Sequence, residues 1–291
     1  MHRADPDHEP DLFWALRGGG GNFGVVTALE LELYPAPDIH GGVFFWPMER
    51  AAEILHAWRE WAPDLPDEVS TWGRVMRFPP VELVPETVRG RAFVIVEAAL
   101  LGTEASSVDV LRPMRELEPA MDTFASLMPG GLAALHMDPP VPVPYTGDGG
   151  LLTDFPAEAV DALLELEGPG IDSPLTSFEI RRLGGALATP ARDGGALAAL
   201  EAPFAWFALG FAPMPEAVPA VDARVEALQE ALHPWDFGRR YMNFTEVQVG
   251  ADRLFPPESA SRLGELRTRY DPDGLLQANH PIRPSAQAMP A

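Results

Sequence analysis

The chain of 291 residues is 46% hydrophobic, enough to bury a substantial core in one large domain or two smaller ones. Its formal net charge of -22 repels nucleic acid and anionic lipid, so neither is expected as a partner. All 21 basic residues are arginine and cysteine is absent, which excludes a Walker lysine, a Schiff-base lysine, disulfides, thiolate nucleophiles and cysteine-held metals.

In chain order, "PDLFWALR" reads as a short helix leading into "GGGGNFG". Gly19, Gly21 and Gly24 satisfy G-x-G-x-x-G, but a dinucleotide fold needs a strand before that loop and a helix after it, and here the order is reversed. "VVTALELEL" puts Val25, Thr27, Leu29, Leu31 and Leu33 on one face, the pattern of a strand with one wet side. "GGVFFWP" reads as a strand, and Ala51, Ile54, Leu55, Trp58 and Trp61 then recur at helical spacing. "STWGRVMRFP" and "RGRAFVIVEAALLG" read as two more strands, and Thr103 as the N-cap of a helix bearing Val108, Leu111, Met114 and Leu117. The Pro- and Gly-rich stretch from Met128 to Gly150 reads as a long connection. A helix "PAEAVDALLELEG", strands "PLTSFEIRRLGG" and "APFAWFALGFAP", and a helix striped by Val218, Val221, Val225, Leu228 and Leu232 follow. Together these predict an antiparallel sheet with helices on one side, an α+β domain over 36–235. The closing segment, one short helix between irregular stretches, is too small for its own core, and the opening glycine loop is the obvious place for it to dock.

Bland readings account for most other features. The seven histidines lack metal-ligand spacing; His136 and Asp138 are close, but in a proline-rich loop without a third partner, so no metal site is expected. No serine sits in G-x-S-x-G. Without an N-terminal charged region followed by an apolar run, or any long apolar stretch, the expectation is a cytoplasmic protein with no membrane partner. Two motifs remain. A run of glycines lets backbone N–H groups approach a ligand closely, although a turn with positive φ also uses glycine. In "YMNF", read as a strand, Tyr241 and Asn243 share a face; a phenol beside an amide can transfer a proton if nearby charge, such as Arg239 or Arg240, lowers its pKa, while a half-buried tyrosine with no chemistry fits the spacing equally.

Four stretches, "PDLFWALRGGGGNFGVVT", "FEIRRLGGALA", "RRYMNFTE" and "YDPDGLLQANHPIRP", together resemble the berberine bridge enzyme-like FAD-linked oxidoreductases of the vanillyl-alcohol oxidase superfamily. The resemblance reaches both ends of the chain. It implies an α+β substrate domain at 36–235, whose sheet roofs the flavin ring, and part of a PCMH-type FAD domain made by residues 1–35 and 236–291. It implies FAD as cofactor, lined by Gly20, Gly21, Asn22, Phe23, Gly24 and Val25, with Tyr241 and Asn243 at the ring and Asn279 near it. It also implies an oxidoreductase that passes hydride from a small alcohol or carbohydrate-like substrate to flavin, with Tyr241 as base and Asn243 orienting. The upstream half that carries the main pyrophosphate loop and the flavin-linking histidine has no counterpart here. The expectation is therefore an N-terminally truncated member, with that half as a partner. The competing expectation is a remnant or small-molecule-binding module that keeps the fold without cofactor.

Overall fold

Alternating aromatic and β-branched runs do become strands. In the computed structural model, which describes residues 1–36, 38–139 and 141–284, they are β1 (Ile39–Pro47), β2 (Val69–Arg77), β3 (Ala92–Leu101), β4 (Met121–Asp122), β5 (Ala125–Leu127), β6 (Tyr145–Leu152), β7 (Ser177–Arg182) and β8 (Phe204–Phe211). They form one sheet in the order β4-β1-β3-β2-β7-β8-β6, with β5 also on β1. Every pairing is antiparallel.

Four helices, α2 (Ala51–Trp61), α3 (Glu104–Arg115), α4 (Ala157–Glu167) and α5 (Val218–Leu232), cover one face of this sheet. Strand periodicity sends Trp46, Val75, Val96, Ile180 and Trp206 to that face, where they meet Ile54, Trp58, Leu111, Leu163 and Leu228 from the helices. Thr103 caps α3 as expected, its Oγ1 accepting from the Ser106 N–H at 3.2 Å. The α+β reading with a helix-covered antiparallel sheet is thereby borne out.

Two expectations fail for identifiable reasons. β6 overlaps the end of the stretch read as a connection, from Tyr145 to Gly150, because Gly147, Gly149 and Gly150 give it little strand propensity. Those glycines are there for contact: a Cβ on Gly149 would stand 2.4 Å from the Trp206 carbonyl oxygen, and one on Gly150 2.6 Å from the Trp206 indole nitrogen. Conversely, the alternating segment 25–33 is not a strand. It has no regular structure, and Val25, Leu29, Leu31, Leu33 and Tyr34 are all exposed. Alternation specifies which side of a strand is apolar, but a strand also needs a neighbour for its backbone groups, and none of the described segments pairs with it.

The two ends of the chain do meet. Leu12 and Ala15 of α1 (Pro10–Leu16) and Phe23 pack with Leu254 of α6 (Ala251–Leu254), with Leu263 and Leu266 of α7 (Pro257–Tyr270), and with Ile282. At the rim Tyr270 Oη donates to Glu9 at 2.7 Å, and Arg262 and Arg269 reach Asp11 at 2.9 and 3.2 Å. Among the described residues no helix is long and apolar enough to cross a membrane.

Candidate active site

Local backbone needs explain most of the glycine run. Gly18 and Gly20 adopt left-handed conformations, φ +103° and +67°, and a Cβ on Gly19 would stand 2.3 Å from the Ala15 carbonyl oxygen. Gly21 is different: its hypothetical Cβ would only touch Ala278 at 3.7 Å, so its bareness leaves backbone exposed to a cleft.

That cleft, about 520 Å³, is lined from one end of the chain by Gly20, Gly21 and Asn22 and from the other by Asn243, Glu246, Gln277 and Asn279, among others. Five residues singled out from the sequence therefore converge on one cavity. Asn22 serves mainly as a staple. Its side chain is buried, with Nδ2 donating to the carbonyls of Gly19 (2.9 Å) and His280 (3.1 Å), while Oδ1 accepts from the Ile282 N–H (2.9 Å). Arg267 donates to the Asn22 carbonyl and, at 2.8 Å, to that of Leu276. Beneath the cleft, His280 places Nε2 3.0 Å from the Thr245 carbonyl and accepts the Val249 N–H at Nδ1 (3.3 Å), which fixes the ring hydrogen on Nε2. Phe23 lies in the core between the chain ends, Gly24 at φ +148° begins the exposed segment, and Val25 is 86% exposed, so none of these three lines the cleft.

The "YMNF" stretch is a 3-10 turn, Met242–Phe244, preceded by Tyr241, and not the strand that alternation suggested. A turn brings the two polar groups together more directly than a strand would: Asn243 Nδ2 donates to Tyr241 Oη at 2.9 Å. The flanking arginines do not serve Tyr241. Arg239 pairs with Glu201, while Arg240 donates to the Gly149 carbonyl and stands 3.6 Å from Asp148. Tyr241 packs instead on the helix-free face of the sheet beside Leu151 and Ala205, its ring centroid 5.4 Å from that of Phe244.

The same face holds a charged cluster that sequence reasoning missed. Pairing register lines up Val43, Glu97, Trp72, Arg181, Ala205 and Leu151 across the sheet, with Arg74 and Glu179 side by side in the next row. Glu97, Glu179 and Arg74 are buried, and Arg74 donates to Glu97. His136, from the connection after β5, bridges the carboxylates: Nδ1 is 3.1 Å from Glu97 and Nε2 is 3.1 Å from Glu179. Arg181 Nε donates to the other oxygen of Glu179 at 2.6 Å. Burial alone would raise the Glu179 pKa, but the hydrogen bond from His136 and the charges of Arg181 and Arg74 outweigh it and hold the value at about 2. Burial likewise works against a charged His136, yet its hydrogen bonds to Glu179 and Glu97 raise its pKa above the ordinary 6.5. The available signal was charge inside strands that have neighbours on both sides: Arg74, Glu97, Glu179 and Arg181 each alternate with core residues.

No family model matches the chain. An uncharacterized FAD-linked oxidoreductase of Bacillus subtilis, YvdP, is 24% identical over 97% of this chain and 62% of its own length. The (R)-6-hydroxynicotine oxidase of Paenarthrobacter nicotinovorans is 26% identical over 96% of this chain and 61% of its own. A berberine bridge enzyme-like protein of Physcomitrella patens superposes with a TM-score of 0.77 at 13% identity, over 97% of this chain and 62% of that one, a likeness of fold. The chain thus spans about three-fifths of the length of the curated relatives it matches.

Proposed function

We propose that this chain, related by sequence and fold to the berberine bridge enzyme-like FAD-linked oxidoreductases, carries the substrate face and part of the flavin site of an FAD-dependent oxidoreductase acting on a small alcohol or carbohydrate-like substrate. One observation supports this above others: residues from both chain ends line a single cleft beside Tyr241 and Asn243.

The lining suits one part of the cofactor better than another. Asn243, Gln277 and Asn279 offer amide donors and acceptors, and bare backbone at Gly21 allows close approach. No arginine is among the lining residues, and Glu246 is there. Such a surface fits the uncharged hydrogen-bonding edge of a flavin ring or its ribityl chain, and leaves the pyrophosphate to be held elsewhere. A partner FAD-binding half, the piece implied by the family resemblance, would supply that site and a strand for residues 25–33.

When bound, flavin supplies the acceptor for a hydride. The chain's own residues supply the rest. Tyr241 Oη takes the proton of the substrate hydroxyl, and the Asn243 amide, donating to the same oxygen, orients the phenol. The half-buried aromatic surroundings of Phe244 and Phe207 keep water from the reacting hydroxyl.

Titrating FAD into the chain alone and into the chain supplemented with an FAD-binding half tests the reading. Weak or absent binding is expected alone and stoichiometric binding with the half. In the loaded protein Tyr241→Phe should retain flavin yet slow its reduction by substrate about 10²- to 10⁴-fold. Reduction at nearly the wild-type rate would remove Tyr241 from the base role, and no binding in either case would favour a cofactor-free binding module.

A further inference from the structure

The charged cluster on the helix-free sheet face joins His136, Arg74 and Arg181 to the two carboxylates of Glu97 and Glu179, so protonation of His136 leaves it one positive charge in excess, within a chain whose net charge is -22. Both arginines approach the ring, Arg181 Nη2 at 3.3 Å from His136 Nε2 and Arg74 Nη1 at 3.4 Å from His136 Nδ1, contacts that turn repulsive when the ring is protonated. Arg74 Nε is buried without a hydrogen-bond partner, 3.8 Å from the nearest Glu179 oxygen. An excess positive charge in a mostly desolvated place is costly unless an anion offsets it.

Arg181 is arranged to receive one. Glu179 holds its Nε, while its guanidinium carbon lies 5.2 Å from the Trp72 ring centroid and 4.7 Å from that of Phe244, so two aromatic rings fix its plane. The side chain remains 28% exposed, and Nη1 donates to no protein group among the described residues. A guanidinium held in this way and open on one edge matches a carboxylate, and its ordering cost has already been met by the fold. Phe244 neighbours both this guanidinium, at 4.7 Å, and the Tyr241 ring, at 5.4 Å between centroids.

We propose that this face binds the carboxylate of an acidic alcohol, with Arg181 as anchor and the substrate hydroxyl directed to Tyr241. The proposal rests on the reading of Tyr241 as the proton acceptor for the geometry of the second half, and deepens it by giving the substrate a charge. A molecule with a carboxylate and a hydroxymethyl group at opposite ends of one ring carries both of the functions such a site would take. A neutral polyol would leave the excess charge unmatched, and an amine would add to it.

Calorimetric titration of the 291-residue chain with three probes tests this without flavin: 4-(hydroxymethyl)benzoate, its uncharged amide, and the cationic 4-(aminomethyl)benzyl alcohol. The acid should bind about 10- to 100-fold more tightly than the amide, the range of one charge-assisted contact, and the amine most weakly. R181Q should erase the preference for the acid, and R181K, which keeps charge but loses the planar fork, should fall between. Equal binding of acid and amide, preference for the amine, or no binding of the acid at millimolar concentration would overturn the proposal. The comparison of acid with amide needs no variant, so it decides even if R181Q does not fold. Acid binding by a protein that never takes up FAD, even with its partner half, would leave this site standing and remove the oxidoreductase reading; FAD uptake without selectivity for the acid would do the reverse.

Discussion

His136 draws its partners from three strands: Glu97 on β3, Glu179 and Arg181 on β7, and Trp72 and Arg74 on β2. The Trp72 indole N–H, 3.1 Å from Nδ1, favours a neutral ring, whereas two buried carboxylates at 3.1 Å favour the charged one, and the carboxylates prevail. Because the folded pKa is raised above 6.5, the ring's contribution to docking its loop is fully present below 6.5 and is lost as pH rises through the raised value. Glu179, held at about 2, contributes above 4.5 and loses that contribution as pH falls toward 2. The protection of amides in residues 134–138, after correction for the base-catalysed intrinsic rate, should accordingly be greatest between about pH 4.5 and 6.5 and fall with a midpoint above 6.5. In His136→Gln the alkaline step should vanish; an unchanged step would assign it to another group. In the sequence this histidine shows only Asp138 as a companion, since its real partners are adjacent only through sheet register.

The joining of the chain ends depends on a few elements that each lack a core. α1 is seven residues long and α6 four, far below the length at which an isolated helix is stable, so their helicity comes from packing on α7. Asn22 closes this assembly with three hydrogen bonds to backbone groups near both ends. Asn22→Ala would strand the Ile282 N–H and the His280 carbonyl, and should destabilise the chain by about 2–4 kcal/mol. A loss of less than about 0.5 kcal/mol in unfolding free energy, measured by urea titration, would show that water replaces the amide and that the staple is dispensable. That the ends dock was legible from their lack of apolar surface. The role of Asn22 as staple was not, because Asn22 reads locally as a turn residue and His280 and Ile282 lie at the other end of the sequence. The glycine run shows the converse error: four glycines suggested a ligand loop, yet three of them answer to backbone conformation and helix contact; Gly20 and Gly21 line the cleft, and only Gly21 does so without a backbone need of its own.

Over the whole molecule, one face of the sheet is covered by helices and the other combines an aromatic patch, a charged cluster and the neighbouring cleft, the side to which the proposed binding is assigned. Residues 25–34 stand apart from both. Their amides should exchange at rates near those of an unfolded chain in the isolated protein and become protected when an FAD-binding half is added. Protection without any addition would show that another part of this chain, or a second copy, already pairs with them. Sequence by itself determined the order of elements wherever the apolar period was clean, as in Ile54-Leu55-Trp58 and in Val94-Val96-Ala98, and through four motifs it carried the family resemblance. These are local properties: a period of 2.0 or 3.6 is set by backbone geometry within a few residues. Tertiary structure alone decided that the alternating segment 25–33 has no partner, that Gly149 and Gly150 belong to a strand by pairing with β8 and are bare because Trp206 crowds them, that "YMNF" turns instead of extending, and that Arg74, Glu97, His136, Glu179 and Arg181 meet. Each of these depends on which distant backbone lies alongside, and the period within one segment says which of its faces is apolar but not which other segment becomes its neighbour.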